Sequence, residues 1–197
     1  AEEDEEEDDC EKLAARIKMV RNILEAYGDP MLREAIKSKY GDNAKKEYQD
    51  AVEKKVMDQV PRAPGEAPPE AEALLWTTPF TDSPQGGNVT KATINGNVGG
   101  TNTELITYDG NGNEVGGDYD SIEAMLTEWE NNYGEDAGRN MFNAALAHEK
   151  VHVGQYTDDE RGIPETVDDL AEYEMEGFSE EMNYLMREFE EMGCSSE

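Results

Sequence analysis

The chain has 197 residues, in which 47 acidic side chains face 17 basic ones, and its formal net charge is −30 at pH 7. A field of that sign repels phosphate backbones and anionic lipid headgroups, so neither nucleic acid nor a membrane surface is expected as a partner. No apolar run is long enough to span a bilayer, and no basic, then apolar leader opens the chain, so a signal peptide is expected to be absent or already removed.

Ala1 to Asp9 is a block of like charge with nothing to bury, and residues 1–9 are expected to form a disordered acidic tail. From Glu11 to Tyr27 the residues Leu13, Ala14, Ile17, Val20, Ile23 and Leu24 recur at helical spacing until Gly28-Asp29-Pro30 stops the pattern. A second helix is expected from Pro30 to Tyr40, closed by Gly41-Asp42. A third runs from about Asn43 to Val60, with Ala44, Tyr48, Ala51, Val52 and Val56 on one side. Residues 10–60 thus read as a helical segment. Residues 10–62 carry nine acids and twelve bases, a net of +3, whereas residues 63–197 carry thirty acids and five bases, a net of −25. This complementarity predicts that the front segment packs on the acidic body.

Pro61, Pro64, Gly65, Pro68 and Pro69 make residues 61–75 a stiff linker, and a domain over 76–197 follows it. Its first part changes period. Val89–Ile94, Thr103–Tyr108 and Glu114-Val115 are β-prone pieces separated by Asn95-Gly96, Gly99-Gly100 and Asn111-Gly112, which are hairpin signals, so a small antiparallel sheet is expected. Asp109-Gly110-Asn111-Gly112-Asn113 resembles the opening of a Ca2+-binding loop. However, Glu114 stands where such a loop needs Gly and Asp120 where it prefers Glu, which favours a plain turn over calcium. Asp120-Ser121 caps a helix through Asn131, with Ile122, Met125, Leu126 and Trp129 inward. Asn132 to Gly134 breaks it, and a further helix is expected from about Glu135 to Tyr156.

That helix carries His148-Glu149-Lys150-Val151-His152, and these are the only two histidines in the chain. Residues four apart lie on one helical face, so both imidazoles can reach one cation while Glu149 sits beside them. Zinc accepts imidazole nitrogen readily, and with a third protein ligand it keeps a fourth position for water. The preceding Met141, Phe142, Ala144, Ala145, Leu146 and Ala147 form an apolar run suited to a buried helix. After a loop from Thr157 to Pro164, a final helix from Glu165 to Met192 carries Asp168, Asp169, Glu172, Glu174, Glu176, Glu180 and Glu181. With no other histidine in the chain, one of these carboxylates is expected to be the third ligand.

Two histidines framing Glu149, followed some twenty residues later by an acidic helix, resemble the gluzincin group of zinc metallopeptidases. The resemblance implies Zn2+ held by His148, His152 and a glutamate of the final helix, with Glu149 as general base. In several such families the ligand opens a Glu-x-x-Ala segment. Glu174-Met175-Glu176-Gly177 is similar, with Gly for Ala, and points to Glu174 ahead of Glu176 and Glu172. The implied fold is α+β: a zincin-like domain of a small antiparallel sheet, active-site helix and C-terminal helix, with an N-terminal helical segment. Tyr156, Tyr173, Tyr184, Arg161 and Arg187 are candidates for stabilising a developing oxyanion, and Gln155 for supporting His152.

The expected function is a zinc endopeptidase acting on a protein or peptide, with a preference for basic residues near the scissile bond. The alternatives are a non-enzymatic acidic surface protein on the same scaffold and a secreted effector whose front segment delivers or inhibits it. The acidity itself fits either adaptation to high salt or attraction of basic substrates. Cys10 and Cys194 stand near opposite ends, and a bridge between them would imply an oxidising, secreted or extracellular location.

Overall fold

Helical stripes dominate the architecture. This computed structural model describes residues 2–59, 80–82, 93–98, 101–108 and 111–194. Its helices among the described residues are α1 (Glu2–Tyr27), α2 (Pro30–Tyr40), α3 (Lys45–Asp58), α4 (Tyr119–Tyr133), α5 (Glu135–Thr157) and α6 (Val167–Glu191). Short strands β1 (Phe80–Asp82), β2 (Thr93–Val98), β3 (Thr101–Tyr108) and β4 (Glu114–Gly117) pair antiparallel in chain order along one side.

The expected α+β zincin-like domain is overturned. Helix accounts for 78% of the residues whose side chains are described. The physical reason is burial: the apolar stripes of the helices supply nearly all of the core among the described side chains, to which Ile106 and Tyr108 of β3 add. Asn95-Gly96, read as a turn, lies inside β2 beside a register shift. The linker at 61–75 falls outside the described residues, as does Asp109-Gly110 of the calcium-like loop.

Two cores share helices α1 and α6. The larger gathers Leu13, Ile17 and Val20 of α1, Met125, Trp129 and Tyr133 of α4, Met141, Phe142, Ala144 and Ala145 of α5, and Met182 and Leu185 of α6. The second packs Met19, Ile23 and Tyr27 of α1 on Tyr48, Val52 and Val56 of α3 and Val167, Leu170 and Ala171 of α6. Residues 10–60 therefore contribute to the body, and Lys37 meets Asp168 at 2.9 Å across the surface. An exposed pair of that kind adds little stability, so the apolar contacts hold the front helices in place.

Helix α1 already starts at Glu2, so residues 2–9 are helical and not the disordered tail expected. They gain from being tethered: Cys10 is bridged to Cys194, with Cα atoms 5.5 Å apart, and Asp9 is buried against Gly134. That bridge fastens the start of the first helix to the end of the last. Local chemistry sets the other ends. Asp29, Asp118 and Thr166 accept hydrogen bonds from backbone N–H groups in the first turns of α2, α4 and α6. Gly134, at φ +100°, ends α4 and lets α5 start at once. Gly138 then lies so close to the Trp129 backbone that no Cβ would fit, which brings α4 and α5 into tight contact.

Candidate metal centre

Helix α5 presents His148 and His152 one turn apart, and α6 packs across them with Glu174. All three side chains are buried. The two Nε2 atoms are 2.9 Å apart. Glu174 reaches both, with Oε2 3.4 Å from Nε2 of His148 and Oε1 3.1 Å from Nε2 of His152. Ligands about 2.0–2.1 Å from a tetrahedral zinc stand roughly 3.3 Å from one another, and one nitrogen from each imidazole and one Glu174 oxygen lie near enough together to share such an ion. Calcium, which takes six to eight oxygens, does not suit two imidazoles and one carboxylate.

The outer contacts decide which ring nitrogens carry protons. Gln155 donates through Nε2 to the Tyr173 carbonyl at 3.2 Å and to Glu176 at 2.9 Å, and neither partner can donate in return. Its Oε1 is therefore the atom that faces Nδ1 of His152 at 2.8 Å, and Nδ1 must be the donor. Nδ1 of His148 likewise donates to Oε1 of Glu181 at 3.1 Å. With each neutral ring protonated at Nδ1, two Nε2 lone pairs and the Glu174 carboxylate converge on one point. Three acceptors in contact are unfavourable unless a cation lies between them. Burial works to lower the pKa of His148, but Glu174 and Glu181 carry it up to about 10, so these carboxylates favour positive charge at this point. Burial would also raise the Glu174 carboxyl, yet His152 and His148 hold it well below the usual carboxylate range.

Arginines anchor both supports. Arg161 makes a two-armed pair with Glu176, 3.1 Å for the longer arm, and lies 4.5 Å over the Tyr173 ring. Arg16 of α1 donates through Nη2 to Oε2 of Glu181 at 2.7 Å, with both side chains fully buried. Each imidazole thus has an acceptor at Nδ1 that leads back to an arginine, directly through Glu181 for His148 and by way of Gln155 and Glu176 for His152, the kind of support that orients an imidazole and raises its basicity.

Of the candidates named from the sequence, the structure brings together His148, His152 and Glu174. Glu149 is buried one position beyond His148, turned about 100° around the helix. Glu176 supports Gln155, and Glu172 is exposed at 3.7 Å from Arg161. Gln155 backs His152 as expected of it. Arg161 is committed to Glu176, and the Tyr173 hydroxyl donates to the Gly162 carbonyl at 2.9 Å. Arg187 lies over the Tyr184 ring, and the Tyr156 ring stacks on His152.

Arg16 escaped the sequence reading, and Glu181 was named there only among the possible ligands and not as the partner of His148. The signal was present: Arg16 interrupts the stripe Leu13, Ile17, Val20, while Glu174 and Glu181 sit a heptad apart in the buried stripe Val167, Leu170, Ala171, Gly177, Met182, Leu185. A charge on a buried helical stripe requires a partner. Gly177 has its own reason. A Cβ there would lie 2.9 Å from Nε2 of His148, so this chain needs Gly where the gluzincin segment has Ala.

No family model, curated protein or solved structure matches the chain. The likeness to gluzincins therefore rests on the motif and on the residues around it.

Proposed function

We propose that the protein is a zinc-dependent hydrolase of peptide bonds, with His148, His152 and Glu174 as metal ligands and Glu149 as general base. The observation that carries the reading is the convergence of three buried side chains, with the two imidazole Nε2 atoms 2.9 Å apart and the two Glu174 oxygens 3.4 and 3.1 Å from them. Zinc bound there would polarise a substrate carbonyl and lower the pKa of a water at its open position to about 7. The residues of the chain do the rest. Glu181 and Gln155 keep both Nε2 lone pairs turned inward. Glu149 takes the proton of the attacking water and passes it to the leaving amine.

The net charge of −30 favours basic segments of a protein or peptide substrate, with Lys or Arg near the scissile bond. The Cys10–Cys194 bridge supports a secreted or extracellular setting, because such bridges persist where the surroundings are oxidising. The deciding variant is Glu149→Gln. It is expected to keep one zinc per chain and an unchanged melting temperature while peptide hydrolysis falls by roughly a hundredfold or more. Hydrolysis at the wild-type rate overturns the mechanism.

A zinc that only braces the fold is the second reading. It is favoured by the enclosure of the ligands, and by a cavity of about 610 Å³ that lies along the face of α5 bearing Lys150, Val153, Gly154 and Thr157 and not along the histidine face. Stoichiometric zinc with no cleavage of a broad peptide library by the wild type decides for it.

A further inference from the structure

We infer that Arg16, on the front helix, is a positioning residue for His148, acting through Glu181, so that the metal site is complete only while α1 is docked. The inference rests on the zinc reading above and extends it to a segment that shares none of the motif.

Arg16 is an expensive residue to bury for stability alone. It is fully buried, yet only Nη2 has a partner, while Nε and Nη1 have none among the described residues. A guanidinium serving only to stabilise the fold gains most from a two-armed pair with all its donors used, and one-armed buried pairs are often no better than apolar replacements. What the single arm achieves is orientation. It holds Oε2 of Glu181, which leaves Oε1 facing Nδ1 of His148. Both carboxylate oxygens are then fixed, and the imidazole between Glu181 and Glu174 cannot rotate without breaking a buried hydrogen bond.

The two histidines differ in how they are supported. His152 is backed through Gln155, Glu176 and Arg161, all from α5, α6 and the loop between them, and the outer members are partly exposed. His148 is backed from the far end of the chain, through a bond between residues 165 apart in sequence. The Cys10–Cys194 bridge starts six residues before Arg16 and ends beyond α6, which carries Glu181, so it holds together the two helices that form this support. Apolar packing of Leu13, Ile17 and Val20 on Met182 and Leu185 sets the same two helices side by side.

The test is zinc affinity, measured by competition with a chromophoric chelator, together with the visible spectrum of the Co2+-substituted protein. Arg16→Met is expected to weaken zinc binding about 10–100-fold and to change the Co2+ spectrum, and Arg16→Lys to recover part of the loss. Arg16→Met/Glu181→Met removes both buried charges, so its melting temperature in excess chelator should return towards wild type. Its zinc affinity should nevertheless stay at least tenfold weak, since Nδ1 of His148 has lost its acceptor. Undiminished zinc affinity in that double variant overturns the support through Glu181 even where the single one fails to fold. Wild-type zinc affinity in either folded variant overturns the inference alone, leaving the site in place. A wild-type protein that binds no zinc in the same titration overturns the metal reading and this inference with it.

Discussion

Replacing Gly177 by Ala puts a methyl group against the ring of His148, a proposed metal ligand. The added Cβ would lie 2.9 Å from Nε2, 3.0 Å from Cδ2 and 3.2 Å from Cε1 of His148. Ordinary carbon contacts begin near 3.5 Å, so something must recede by about 0.5 Å. Neither way of yielding is harmless. Moving the ring pulls His148 away from Glu181 and from the shared point, whereas backing α6 off carries Glu174, one turn earlier, away from both imidazoles. Zinc–ligand distances tolerate only about 0.2 Å, so affinity should fall at least tenfold, or about 1.4 kcal/mol. Stability without metal behaves differently: Ala gains about 1 kcal/mol over Gly in a helix interior, and overpacking costs about 1–3 kcal/mol. The net is between no change and a loss of about 2 kcal/mol. Chelator competition at 25 °C and thermal melts in excess chelator separate the two quantities. A variant with wild-type zinc affinity would refute the assigned ligand geometry.

Reducing the Cys10–Cys194 bridge opens a loop that spans nearly the whole chain, with a separation of 184 residues. The chain-entropy relation gives about 5 kcal/mol for a loop of that length, so the melting temperature should drop by roughly 10 °C or more; an unchanged melt under reductant contradicts it. Glu176 supplies a pH dependence. Its carboxyl lies below its ordinary value, chiefly through its hydrogen bonds from Arg161. A depressed carboxyl contributes stability that is present above the unfolded value, near 4.3, and is lost as pH falls through the folded value. The melting-temperature gap between wild type and Glu176→Gln should therefore be constant from pH 7 to 5 and narrow below about pH 4.5. A gap that persists to pH 3 would show that the Arg161 pair adds nothing.

The chemistry of the centre was largely readable along the chain. Two histidines at helical spacing around Glu149 require a shared face whatever the fold, because the period of a helix is local geometry. The breaks at Gly28, Gly41 and Gly134 are local in the same sense, which is why the helix boundaries there fall close to expectation. The β-prone pieces read less well. Alternation and turn signals mark strands that can pair, but they place Asn95-Gly96 in a turn where the structure has it inside β2 beside a register shift.

By itself the sequence determined the donors, their spacing on α5 and the acidic helix that had to complete the set, since each follows from residue type and helical period. Only the tertiary structure decided which carboxylates turn inward, because the ten acids along α6 are distinguished solely by what packs against them. Burial of the stripe through Val167, Glu174 and Glu181 places Glu174 beside both imidazoles and Glu181 behind His148. The same packing brings Arg16 from the far end of the chain to Glu181. Contacts between residues so distant in sequence are set by how the helices fit together, and no local pattern encodes that fit.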